Sequence, residues 1–255
     1  MAAEFSGSTS AHDPLPRILI GFLALWFVLD RSAAMLGSFS GEAGAFVCVA
    51  VLFTAVIVER TLFGAGPATS LSALGFRRPE RDAVRATFLL CAALLAFYPL
   101  FSLGTTLPLG LADGWPILLI GLLLQGGIAE EVVFRGYLFR HLRRGRSFWR
   151  AAFLAALPFI AVHLLLFATL DFPLALAALV VSVSLSFPLA WLFDRSGGSV
   201  WPPAILHVVV QGSIKLVTVP KASSMLLALA WMAFATVVPW LVFLLLPRPA
   251  VEARP

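Results

Sequence analysis

The chain has 255 residues, of which 60% are hydrophobic and only 12% charged, with a mean hydropathy of +0.97. A soluble domain of this length carries about twice that charge, so a polytopic membrane protein built mostly of spanning helices is expected. The apolar runs are long and continuous, not alternating, which argues against a β-barrel. The net charge of +5 comes from basic residues placed at helix ends; it reflects membrane topology and does not mark a nucleic-acid partner.

Residues 1–16 read as a small polar tail. It lacks the charged start and cleavage site of a signal peptide, so the first span is expected to stay as an anchor. Eight apolar segments follow, at Ile18–Met35, Ala43–Phe63, Ala83–Leu103, Trp115–Phe139, Phe148–Leu170, Phe172–Phe193, Val200–Val219 and Ser223–Leu246. Each is long enough to cross a hydrocarbon core that needs about 20 residues. Cys48 and Cys91 lie inside apolar runs and read as packing residues, not as a disulfide. Several of the seven Trp flank spans, as interfacial belts do. The linker 64–82 reads either as a cytoplasmic linker whose Leu74-Gly75-Phe76-Arg77 forms a turn at headgroup level or as a plain connector. Asp171 is expected to cap the turn before the sixth span.

Charge tests the count of eight. With both termini cytoplasmic, 15 of the 18 basic residues fall on the inside, leaving Arg31, Lys215 and Lys221 outside. That split satisfies the positive-inside rule, and an odd number of spans would scramble it. The localisation expected is a multi-pass protein of a bacterial inner membrane, arginine-rich and lysine-poor.

Against this apolar background a few polar residues stand out. Glu130 and Glu131 are adjacent inside the fourth span, where an ionisable group costs several kcal/mol or more. On a helix Glu131 faces Arg135, four residues on, and the two can pair. Glu130 points about 100° away and has no partner on its own helix. A desolvated carboxylate of that kind is poised for general acid–base work. His163 lies in the fifth span, with Pro158 close enough to kink the helix and open space beside it. His207 and Gln211, four apart, form one polar stripe on the seventh span, which starts with Pro202 and Pro203, where proline is tolerated. Counted at about 1.5 Å per residue, all of these residues fall between the arginine-rich helix ends and the midplane, which suggests a shared cavity open to the cytoplasm. Gln125 can face this cavity or pack. His141, set among arginines, reads as solvated in a loop; His12 lies in the tail; Glu59 and Arg60 mark a helix end, and Asp194 and Arg195 a short turn.

The order Glu130-Glu131-x-x-x-Arg135, Phe159-x-x-x-His163 and His207-x-x-x-Gln211 resembles the three motifs of the CPBP family, which comprises the type II CaaX prenyl endopeptidases and bacterial relatives (the Abi proteins). Phe134 with Arg135-Gly136-Tyr137-Leu138-Phe139, and Gly198-Ser199-Val200-Trp201-Pro202 before the third motif, extend the likeness. It covers about residues 115–215. Gln211 departs from it, since the family more often has Asn there, with a side chain one methylene shorter.

The resemblance implies an all-α bundle of eight spans and a division into a tail (1–16), three N-terminal spans with a cytoplasmic linker (17–114), a catalytic core (115–219), and a last span with a short tail (220–255). It also implies glutamate-dependent peptide hydrolysis. Glu130 is then the general base that activates water, His163 orients that water, and His207 with Gln211 stabilises the oxyanion. Glu131 and Arg135 serve as supports behind them. A zinc version would use Glu130, His163 and His207 as ligands; without the specific His-Glu-x-x-His spacing the sequence leaves both versions open, and the metal-free one is preferred. The expected substrate is a membrane-embedded or membrane-anchored peptide, with the lipid bilayer as the other partner. Two other classes share the polar residues: a proton-coupled transporter, against which the absence of an internal repeat counts, and a non-catalytic immunity or scaffold protein.

Overall fold

A computed structural model describes residues 15–36 and 41–247. The N-terminal tail up to residue 14, with His12, and the C-terminal residues Arg248 and Arg254 lie outside the described residues. The architecture is an all-α polytopic bundle with almost no sheet. Helices α1 (Leu15–Leu36) and α2 (Gly41–Phe63) pack side by side. A short α3 (Pro67–Ala73) leads to α4 (Arg81–Leu95) and α5 (Phe97–Thr105), two halves of one span. They part at Ala96, because Pro99 has no N–H to continue the ladder.

After strand β1 (Gly110–Leu111), the span Trp115–Arg143 starts as α6 (Trp115–Leu122) and ends as α7 (Arg140–Arg143). Between them are two π-helical stretches, Leu123–Ala129 and Val132–Phe139. Helix α8 (Phe148–His163) continues through Pro158 into a 3₁₀ turn at Leu164–Ala168, and α9 (Phe172–Arg195) returns. Then come α10 (Trp201–Leu216), strand β2 (Val217–Thr218), α11 (Ser224–Val237) and α12 (Val242–Leu245).

Seven helices among the described residues are long and apolar enough to cross a membrane by themselves. The eighth expected span, α10, has 16 residues, about 24 Å at 1.5 Å per residue. It still runs from one end of the bundle to the other. At its start the Val200 N–H donates to the Gly75 carbonyl at 3.0 Å, and at its end β2 pairs antiparallel with β1. It can be short because it packs against α4, α6, α9 and the first π stretch, so protein covers most of it, leaving Trp201 and Ile205 exposed. Trp231 Nε1 donates to the Val210 carbonyl at 2.9 Å, and Tyr98 shares a 2.8 Å hydroxyl bond with Ser213, which together hold its register.

The outside of the bundle carries exposed large apolar side chains, Leu19, Ile20, Leu23 and Phe27 on α1 for example, as a lipid-facing surface does. Cys48 and Cys91 are both buried and free. Trp115, Trp149 and Trp201 sit at helix ends with roughly 37–41% exposure, but Trp191 and Trp231 are core residues.

Three local expectations need correcting. The 74–77 segment is neither a headgroup turn nor a plain connector. Leu74 is fully buried, Gly75 takes φ +108°, and Ser199 Oγ donates to the Arg77 carbonyl at 2.9 Å, so the segment buckles onto the start of α10. Gly136 lets Leu74 also pack against the fourth span, since a Cβ there would lie 2.2 Å from the Leu74 carbonyl oxygen. Asp171 occupies the N-cap position of α9, but its side chain makes no capping bond. His141 is helical and 2% exposed, because the fourth span runs four residues beyond Phe139.

Candidate active site

The π-helical stretches flank Glu130 and Glu131 directly. A π-helix is wider than an α-helix and is frequent at functional sites; here the two stretches bracket the carboxylates, which meet His207 of α10. Glu131 is fully buried and makes an ion pair with Arg135 at 2.9 Å. Its Oε1 also lies 2.7 Å from His207 Nδ1. Removing such a carboxylate from water is costly, and Arg135 and His207 together offset that cost. The Arg135 guanidinium in turn lies over the Phe159 ring, 5.0 Å from its centre.

Glu130 points away from this cluster, with its side chain 18% exposed. Its Oε2 lies 3.8 Å from His207 Nε2. It opens onto a cavity of about 420 Å³ that His163, His207 and Gln211 also border. The four residues assigned chemical roles from sequence thus share one cavity wall, although they come from three spans. Among the supporting residues, Glu131 and Arg135 lie behind that wall.

Both imidazoles have their Nδ1 engaged. His163 Nδ1 is 2.7 Å from the Phe159 carbonyl, which can only accept, so the proton sits on Nδ1. The Glu131 carboxylate imposes the same tautomer on His207. In the neutral state each ring therefore offers Nε2 as a lone pair. Beside the Glu130 carboxylate, the site presents acceptors for water protons. Gln211 brings an amide, packed against Gly126, where a Cβ would sit 2.3 Å from Gln211 Oε1. Glycine at 126 makes room for the longer side chain at 211.

Among the described residues no three His, Cys, Asp or Glu side chains are grouped closely enough to hold a metal ion.

The cavity differs from the sequence expectation in direction. It borders Asp30 near the end of α1, Leu170 after the 3₁₀ turn, and Lys215 at the end of α10. These are the helix ends opposite the arginine-rich turns. The other half of the bundle is closed by buried Ala151, Ala152 and Phe139, with Phe148 stacked edge-on against Trp191. Counting residues gives depth along each helix but not which half packs tightly. Two basic residues change place for the same reason. Arg135, grouped with the arginine-rich turn, is buried at 3% exposure, and Lys215, grouped with the outer loops, lines the cavity. Lys215 could have been read from the stripe that His207 and Gln211 begin, which it continues at the next spacing of four.

Residues 111–213 match the family model described as type II CAAX prenyl endopeptidase Rce1-like. The matched segment runs from β1 to the last turn of α10, and every residue of the three motifs lies inside it. It agrees with the resemblance to the CPBP family that the motifs carry. No curated protein matches the chain.

A second buried cluster lies outside the cavity. Glu59 Oε1 pairs with Arg140 and lies 2.9 Å from His141 Nε2. The His141 ring stacks on Phe63 at 4.1 Å between centres. Glu59 and His141, read from sequence as a helix end and a solvated loop, hold α2 to the end of the fourth span.

Proposed function

We propose that the protein is an intramembrane endopeptidase that hydrolyses a peptide bond in a membrane-embedded or membrane-anchored substrate, with Glu130 as the general base. One observation carries this reading: a carboxylate and two imidazole lone pairs border one cavity inside an otherwise apolar bundle. The Rce1-like match supports the class of reaction and makes a prenylated peptide the first substrate to try.

Water held between Glu130 and the His163 lone pair gives a proton to the Glu130 carboxylate. Its oxygen bonds to the scissile carbonyl carbon, whose oxygen becomes the oxyanion. The Gln211 amide donates to that oxygen. His207, anchored at Nδ1 by the Glu131 carboxylate, donates as well in the state in which Nε2 carries a proton taken from solvent before the substrate binds. Collapse of the intermediate breaks the C–N bond, and the protonated Glu130 returns its proton to the leaving nitrogen. Preorganised donors of this kind contribute about 3 kcal/mol each in a water-poor site.

The test is hydrolysis of a fluorogenic farnesylated peptide by purified protein in detergent. Glu130→Gln is expected to lower kcat by about a thousandfold or more while the protein stays folded. Cleavage at the wild-type rate by that variant would remove the reading. Activity measured with and without a chelator tests the metal-free mechanism in the same assay.

A further inference from the structure

We propose that Gln125 binds the main chain of the substrate. Its side-chain amide pairs with the N–H and C=O of one residue close to the bond that is cut, and so holds the chain extended across the site. This rests on the peptidase reading above. Gln125 owes its place to the π-helical stretch Leu123–Ala129, at whose end the Glu130 N–H donates to the Gln125 carbonyl. In an α-helix residues five apart lie about 140° apart; a turn closed from i to i+5 brings them back toward one face. Gln125 and Glu130 accordingly border the same cavity.

Gln211 marks the level. The first π stretch packs on α10, and the Gln211 amide lies against Gly126, the neighbour of Gln125. Each glutamine stands about one turn beyond a reacting residue, Gln125 past Glu130 and Gln211 past His207, on the side away from the arginine-rich turns. One turn is about 5 Å, and an extended chain advances about 3.3 Å per residue. A substrate with its scissile carbonyl at Glu130 therefore has a residue one or two positions away beside Gln125. That residue finds few other partners, because the wall includes Leu29, Leu166 and Val210. A main-chain N–H or C=O buried there without a partner weakens binding. In an extended chain the N–H and C=O of one residue point to the same side, as they do across a β-ladder. A glutamine amide carries a donor and an acceptor and can meet both, whatever the side chain. Among the described residues, no hydrogen bond ties the Gln125 amide to the protein.

The experiment uses a farnesylated peptide and a series of its esters, in each of which one main-chain N–H near the scissile bond is replaced by oxygen. In wild-type protein one ester of the series is expected to lower kcat/KM by about tenfold, the scale of a buried hydrogen bond, mainly through KM. Gln125→Leu should lose a similar factor on the parent peptide and nothing further on that ester, while the other esters behave as in wild type. Its unfolding midpoint should not fall, since leucine replaces a polar group on an apolar wall. Gln125→Asn, one methylene shorter, should lie between the two. Losses that multiply for every ester, or a Gln125→Leu protein equal to wild type on the parent peptide, would overturn the proposal. Binding of the same peptides to Glu130→Gln protein with and without Gln125→Leu, read by fluorescence anisotropy, keeps the two readings apart. The same single-ester pattern in binding, without any cleavage by wild type, would uphold the main-chain contact and sink the peptidase. Cleavage by wild type with no such pattern would do the reverse.

Discussion

Two buried clusters in this protein share one composition. Glu131, His207 and Arg135 make one; Glu59, His141 and Arg140 make the other. In both, a glutamate with at most 2% exposure holds an arginine and a histidine. Their surroundings differ. The first backs onto a cavity of about 420 Å³, and its histidine turns Nε2 toward a further carboxylate, Glu130. The second is sealed by Phe63 and Tyr137, whose rings pack against His141 at 4.1 and 4.9 Å. A Glu–His–Arg set is therefore not a site in itself. The first cluster is the candidate because of the open space beside it and the extra acid that faces that space.

The sharpest test of this contrast is at Glu130, the group that the second cluster lacks. Its change to Gln carries the largest expected effect, about a thousandfold or more in kcat with an unchanged unfolding midpoint. Glu131→Gln comes next. It leaves Arg135 buried with a weakened partner and frees the His207 ring, so we expect a loss of about 3–5 kcal/mol in stability. A fall in kcat per folded molecule of about a hundredfold should accompany it, both read on the same preparation.

Glu59→Gln should cost comparable stability, because it strands Arg140 in the same way. Its activity per folded molecule should stay near wild type. A kinetic defect like that of Glu131→Gln would erase the distinction between the clusters. Gly126→Ala probes the site side alone. A methyl group there collides with the Gln211 amide, and a loss of about tenfold to a hundredfold in kcat is expected, below the full effect of removing an oxyanion donor. Adding Gln211→Asn shortens the clashing side chain, and recovery in the double variant would tie the defect to that amide. Smallest of all, Tyr98→Phe removes the bond to Ser213 that holds α10. About 1 kcal/mol of stability should be lost, visible in a thermal melt.

Much of the candidate site was legible in the chain because each part announces itself locally. Two glutamates in an apolar run, a histidine in the next span, and a histidine and glutamine four apart each break a hydrophobic pattern, and the price of charge in hydrocarbon makes every break informative. The Glu131–Arg135 pair follows from helical spacing alone. The other cluster stayed hidden, since Glu59 and His141 sit near span ends beside arginines, where polar residues are ordinary. Which of them is buried depends on how α2 packs on the fourth span, and no local spacing records that.

By itself, the sequence determined the membrane class, the segments that become helices, and the short set of polar residues able to do chemistry. Those follow from hydropathy and periodicity, which are properties of neighbouring residues. Only the tertiary structure decided the rest: the π-helical turns around Glu130 and Glu131, the sharing of Glu131 between Arg135 and His207, and the central place that lets α10 be short. It also decided that the cavity runs away from the arginine-rich turns, with Lys215 on its wall. Apart from the π-helical turns, each of these depends on contacts between segments far apart in the chain, and packing alone fixes which of them meet.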